Sequence, residues 1–542
     1  MNHGVSPQNQ NGTIPDSNLL KSHSPVDRTL PPAQTECVQA ASLVRTIEDF
    51  LAGAQEALVL EERSVLFDLS RSKYSLNGEQ GKCLLHMWSD DRNTVRRVLA
   101  AEVKNGVLRL AVQKMGQARP SRLEICRRDE ERTPSERKAA RAAYRRRLER
   151  ILERQFPEFR TAQFTSSMDL ERSFGPVHAR GLIRRGQTAF AILGAGEQET
   201  QASVDASLTF GILWLETCRE RLAGKALAEG LKLFVPRGRS EVARERMAHL
   251  NPESAKWQLY EIDERDDSIT ELDCADRGNF GTRLVRCPEQ TIAHARFADA
   301  IARVLAVYPE AETALLSPAE IAFRCHGLEF ARARIAADSG SFRREAEIVF
   351  GVGAEENILS DANAARFQHH VHEIAEVRHA EGPRDHILWR LHPERWLETM
   401  VTGDVSAVDE RLDSCQHYSQ VPAFSRSDRA IMDVLAVTRE GRLAVIELKA
   451  DEDLHLPLQG LDYWARVAWH HARGEFQKFG YFPGRELSPE PPLLFFVAPA
   501  LHVHPSTDTL LRYLSSEVEW IFVGIDERWR QGVRPVFRKR PN

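Results

Sequence analysis

Between about residues 43 and 126 the chain is a series of short, mostly alternating apolar and polar runs: SVLFDLS, KCLLHMWS, NTVRRVLAAEV and GVLRLAVQKM. Period two marks a half-buried strand, so a small antiparallel β domain is predicted over 41–130. Asn105-Gly106, between the last two runs, predicts a tight hairpin turn. The period then lengthens. In TPSERKAARAAYRRRLERILERQF (133–156), Leu148, Ile151, Leu152 and Phe156 form a helical apolar stripe. Thr133, Pro134 and Glu136 supply an N-cap, a first-turn proline and a capping-box acid. Strand and helix patterns alternate to residue 260, giving an α/β domain over 131–260. Residues 261–384 read as a mainly helical connecting region, as in EQTIAHARFADAIARVLAVY, and 385–542 return to mixed α/β. Residues 1–40 are rich in Pro, Ser, Asn and Gln, and are expected to form a disordered tail.

Composition narrows the class. The 542 residues, 42% hydrophobic and 28% charged, describe a multidomain soluble α/β protein. A net charge of −5 gives no global basic field, so any nucleic-acid contact must come from a local patch. Arg141, Arg145, Arg146 and Arg147 on the basic helix are the candidate phosphate contacts; the alternative is a solvated face balanced by nearby glutamates. The eight cysteines include no C-x-x-C pair, which argues against a zinc ribbon or iron–sulfur framework. No signal pattern or membrane-length apolar run is present, and a cytoplasmic location without a membrane partner is expected.

One stretch breaks its own pattern. IMDVLAVTREGRLAVIELKADEDLHLPLQGLDY (431–463) alternates like a buried hairpin, yet carries Asp433, Glu447 and Lys449. Charges on a half-buried strand are costly unless paired or bound to a cation. A three-residue loop, Arg439-Glu440-Gly441, pairs Thr438 with Arg442 and sets Asp433 opposite Glu447. Lys449, two residues on, shares that face. Adjacent carboxylates repel unless a cation separates them, and oxygen ligands suit magnesium or manganese. A lysine beside such an ion would orient a water or stabilise a developing phosphorane. Gln459 and Tyr463 follow on one face near the start of a predicted helix.

These residues resemble the PD-(D/E)XK nuclease superfamily, with its restriction-endonuclease-like fold. Asp433 matches the family aspartate, Glu447-Leu448-Lys449 its E-x-K, and Gln459 to Tyr463 the Q-x-x-x-Y element of RecB-type and mismatch-endonuclease branches. The resemblance implies a mixed sheet flanked by helices. It also implies a divalent ion on Asp433, Glu447 and the peptide oxygen of Leu448, and a glutamate on the preceding helix. In HPERWLETMV (392–401), Glu394 fits that last role and Glu398 is the alternative. The resemblance covers roughly 390–500, and neither helicase motifs nor cluster cysteines accompany it.

An earlier segment looks like a degenerate second copy. VHARGLIRRGQTAFAILGAGE (177–197) lies on MDVLAVTREGRLAVIELKADE (432–452) without a gap. In that alignment His178, Ile192 and Gly194 replace Asp433, Glu447 and Lys449, so the fold would persist without the acids. In HHVHEIAEVRH (369–379) the His/Glu pairs at helical spacing are expected to be surface residues. The expectation for the whole chain is a magnesium- or manganese-dependent nuclease acting on DNA. The alternatives are a non-catalytic nucleic-acid-binding or scaffold protein and an RNA-processing nuclease.

Overall fold

The computed structural model describes residues 32–541 except 53–56, 62–63, 70–71, 79–81, 89–92, 105–106, 115–120, 128–133, 170, 276–280, 288–289, 336–345, 352–356 and 426–428. The chain divides into two units at the boundary between residues 133 and 134.

In the first unit the alternating runs pair as a seven-stranded antiparallel sheet. Its order is Ser64–Asp68, Ala57–Glu61, Ser121–Arg127, Val107–Lys114, Asn93–Lys104, Cys83–Trp88, Lys73–Asn77. The ladder reaches Lys104↔Val107, as an Asn-Gly hairpin requires; the two turn residues lie outside the described ones. One sheet face buries Leu85, Val98, Leu110 and Leu123 with Ile47 and Phe50 of helix Pro32–Leu51. That helix begins inside the expected tail, of which 1–31 lie outside the described residues. Ala40, Val44, Ile47 and Leu51 recur at helical spacing and pack inward, so the helix that they hold crosses the expected boundary at 40.

The second unit contains two sheets built in the same order. In the first, helix Pro134–Gln155 precedes strands Arg160–Thr165, Ala179–Arg185 and Thr188–Gly194. Helix Ser207–Leu222, strand Leu227–Pro236, helix Glu241–Met247 and strands Lys256–Asp263 and Ser268–Leu272 follow. In the second, helix Pro393–Gly403 precedes strands Leu412–Ser425, Arg429–Thr438 and Leu443–Leu448. Helix Leu456–His471, strand Leu493–Pro499, helix Thr507–Leu511 and strands Trp520–Ile525 and Pro535–Lys539 follow. In both, the first three strands are antiparallel, the third to fifth parallel, and the sixth antiparallel. A short strand, Thr282–Leu284, adds to the edge of the second sheet. The first sheet runs to Leu272, past the expected boundary at 260.

The two copies meet in an approximately symmetric way. Leu250 and Leu514, each three residues beyond its copy's short helix, form an antiparallel bridge. Asn251 N–H donates to the Tyr513 carbonyl and Ser515 N–H to that of His249, both at 2.8 Å. Around them Leu213, Met247, Leu461, Trp464 and Leu510 share one core.

The gapless alignment is off by one residue. The first hairpin turns through two residues, Gly186 and Gln187, with Thr188 paired to Arg185; the second uses three. Side chains alternate, so one residue of slip exchanges the faces. Ile192 therefore packs with Tyr144 and Leu148 of the preceding helix, whereas Leu193 and Leu182 face helix Ser207–Leu222. Arg180, Leu193 and Ala195 stand at the positions of Asp433, Glu447 and Lys449, in place of His178, Ile192 and Gly194. Arg180 is 2% exposed and stacks on Phe174 and Trp214.

The region 261–384 is not mainly helical. Glu312–Ser317, Glu320–Cys325, Leu328–Ile335, Ala346–Phe350 and Asn357–Ile358 form a five-stranded antiparallel sheet. Helices Ala298–Leu305 and Ala364–Val377 share its core. Alanine, arginine and glutamate in EIAFRC and LEFARARI disguise the period of two, and tertiary burial of Ile321, Phe323, Phe330 and Ala333 overrides propensity. His326 and Gly327 both have positive φ, as a two-residue hairpin turn demands. The Glu373 and Glu376 helix presents His369 and His372 to solvent, as expected.

Candidate active site

The hairpin register is the expected one. Thr438 N–H donates to the Arg442 carbonyl at 2.8 Å, Gly441 has φ 89°, and Val434↔Ile446 places Asp433 opposite Glu447. Alternation sorts the rest. Val434, Ala444, Ile446 and Leu448 pack with Trp396, Leu397 and Val401 of the preceding helix. Leu435, Val445 and Leu443 face the following helix with Leu458 and Leu461. Asp433, Glu447 and Lys449 continue this second face to its end.

Burial sets the electrostatics. Glu447 is 3% exposed; desolvation, then repulsion from Asp433, drives its carboxyl well above the ordinary range. Burial likewise pushes Asp433 up to about 6, although one of its oxygens accepts the Leu448 N–H at 2.9 Å. Lys449 Nζ lies 3.5 Å from Glu394, 3.6 Å from Glu447 and 3.8 Å from Asp453. Burial lowers the Lys449 pKa, but the carboxylates of Glu447, Glu394 and Asp433 outweigh it and hold the ammonium charged. Tyr463 is raised by burial and then by Glu447 and Asp433, so its phenol lies in the field of the acid pair.

Two acceptors at the site lack donors among the described residues. Glu447 Oε2 and Gln459 Oε1 are buried side-chain oxygens without a hydrogen-bond partner. A buried acceptor normally has one, so each calls for a cation or a water. Two carboxylates, their mutual repulsion and the orphaned Glu447 oxygen fit a hard divalent ion. Among the described residues, no three His, Cys, Asp or Glu side chains converge as a ready-made metal cage.

The two glutamates of the preceding helix separate. Glu394 is about half exposed and meets Lys449. Glu398, 4% exposed, accepts from Arg395 at 2.7 Å and from Gln420 at 3.0 Å. Glu394 is thus the glutamate left open beside the lysine, while Glu398 is held among side-chain donors.

The four arginines do not form a free patch. Arg141 grips Glu199 through two hydrogen bonds, Arg147 bridges Glu264 and Asp267, and Arg145 donates to the Phe164 carbonyl. Arg146 alone of the four is exposed. The basic stripe anchors its helix across the first sheet, which the sequence could not show because those acids lie 50 to 120 positions away, as Arg141–Glu199 and Arg147–Glu264 do.

Three residues near the site escaped the sequence reading. Asp453 follows Lys449 by four positions, a spacing visible in KADED. Gln420 and Arg246 gave no local signal. Gly460 lets the helix approach the sheet: a Cβ there would lie 2.4 Å from Phe496 Cε1.

No family model, curated protein or solved structure matches this chain. Among the described residues no helix is long and apolar enough to cross a membrane.

Proposed function

We propose that this chain is a divalent-metal-dependent nuclease hydrolysing phosphodiester bonds in DNA, of the PD-(D/E)XK kind. The observation that carries the reading is the Asp433–Glu447 pair, with Glu447 buried and its Oε2 without a partner among the described residues, beside a charged lysine. A mixed sheet flanked by helices supports it, as the resemblance implies.

Asp433, Glu447 and the peptide oxygen of Leu448 would hold magnesium or manganese, which supplies Lewis acidity toward the phosphate and a more acidic bound water. Lys449 presents its ammonium where an attacking water and phosphate oxygens would gather; Glu394 and Asp453 steady that ammonium. Gln459 and Tyr463 bring a carboxamide and a phenol to the same face from the next helix. The low-dielectric surroundings of Glu447 strengthen each of these interactions.

The test is a cleavage assay on single-stranded, duplex, mismatched and branched DNA and on RNA, with magnesium, manganese or calcium. Cleavage of DNA that needs magnesium or manganese supports the reading; preferential RNA cleavage moves the substrate and keeps the site. Absence of cleavage with retained nucleic-acid binding supports a binding module instead.

A further inference from the structure

A polar cleft of about 430 Å³ opens one strand away from the acid pair. Arg324 and Arg332 of the five-stranded sheet line it, together with His392, Arg395 and Gln420. Its arginines are not equally paired. Arg332 is matched by Glu329 and Glu320, and Arg395 by Glu398. Among the described residues Arg324 has no ion-pair partner; it donates to Gln420 Oε1 at 3.3 Å. Glu398, Glu329 and Glu312 act on Arg324 from beyond contact, so its half-buried guanidinium keeps donors free for an anion that enters the cleft. Burial also lowers the Arg324 pKa, the direction that an arriving anion would reverse.

The backbone here is held under strain. His392 (φ 47°) and Gln420 (φ 53°) both line the cleft in the left-handed region, where non-glycine residues are disfavoured. That conformation turns Gln420 so that its amide donates to Glu398 while its oxygen receives Arg324. The cleft borders the site through Gln420 and Arg395. Gln420 occupies the position across from Asp433, between the pairs Ser419↔Val434 and Val421↔Met432. Glu394, which meets Lys449, is followed at once by Arg395, which lines the cleft.

We propose that this cleft is a phosphate-binding site, with Arg324 as its principal ligand, that holds a backbone phosphate of the DNA beside the cutting site. The proposal rests on the nuclease reading for its substrate. A planar guanidinium suits two phosphate oxygens, with Gln420 and Arg395 fixed beside it. A free nucleotide presents the same chemistry, so the experiment separates the two sources.

Binding of a labelled DNA duplex to the full chain is measured in calcium, over a range of salt concentrations, for the native protein, Arg324→Gln and Arg324→Lys. The Gln variant is expected to bind about tenfold more weakly, with the salt slope reduced by about one. The Lys variant keeps the charge and is expected to keep the native slope. Unchanged affinity and slope in Arg324→Gln, or a slope lowered equally by Lys and Gln, overturns the site. ATP binding that Arg324→Gln abolishes while DNA affinity stays native overturns the DNA assignment in favour of a nucleotide. Cleavage tells the two readings apart. A chain that never cuts DNA, yet loses affinity in Arg324→Gln, retains this site and loses the nuclease reading. A chain whose Arg324→Gln form cuts normally at limiting substrate retains the nuclease reading and loses this site.

Discussion

The guanidinium of Arg246 reaches from the acid-free copy to grip both carboxylate oxygens of Asp462, at 2.9 and 2.8 Å. Its remaining arm donates to the Asp205 carbonyl at 2.8 Å. Asp462 immediately precedes Tyr463, so the copy without acids fixes the helix that faces the acid pair. A shared core and an aligned ion pair give the first copy a supporting role.

Arg246→Ala leaves Asp462 without its counter-ion in a mostly buried setting. A loss of about 3 kcal/mol is expected in urea unfolding, since breaking a buried pair costs more than the pair contributes. Arg246→Met with Asp462→Leu should recover much of it. Equal losses in the single and double variants would show that the pair itself matters little.

Asp433 makes stability depend on pH. Its folded-state pKa, about 6, lies above the ordinary aspartate value, so the folded state holds the proton more tightly. The associated stability is fully present below about pH 4 and is lost as pH rises through about 6. Asp433→Asn in chelator at pH 7.5 is therefore expected to be more stable than native by roughly 1–3 kcal/mol. Magnesium should raise the melting temperature of the native chain and not of the variant. Its affinity should rise from pH 5 to 7 as the carboxyls ionise. Thermal melts across pH, with and without magnesium, check each point.

Lys449→Ala should cut the rate by roughly 10²–10⁴-fold while DNA affinity in calcium changes little, because placing water serves the chemical step. Glu394→Ala, which removes one partner of the Lys449 ammonium, is expected to be milder. Single-turnover rates beside equilibrium binding distinguish the two effects. A lysine variant that loses affinity and rate in equal measure contradicts the assigned role.

Gly460→Ala inserts a methyl where Phe496 Cε1 already lies. The helix must shift, carrying Gln459 and Tyr463 with it. A loss of about 1–3 kcal/mol is expected, with a rate defect larger than any binding defect.

The parts legible in the sequence were those fixed locally. Gly441 set the loop length, and loop length set which face Asp433, Glu447 and Lys449 share. Period two gave the first sheet, and the order of strand and helix patterns gave the repeat. What escaped depends on distant partners. Ile192 was placed on the wrong face because a two-residue loop looks much like a three-residue one in a gapless alignment. The strands of 312–358 were hidden by residues that favour helices in isolation. Arg141 and Arg147 looked like phosphate ligands until Glu199 and Glu264 folded against them, and Gln420 and Arg246 acquired meaning only through contacts made by the fold.

The central claim is that Asp433, Glu447 and Lys449 form a metal-dependent cutting site. Its most direct measurement is single-turnover DNA cleavage with magnesium by the native chain and Glu447→Ala, each at protein concentrations that saturate binding. The account predicts cleavage by the native chain that a chelator stops and manganese restores. It predicts no detectable product from Glu447→Ala despite bound DNA, and binding with little turnover in calcium. Cleavage that persists without a divalent ion, or full activity in Glu447→Ala, would contradict it.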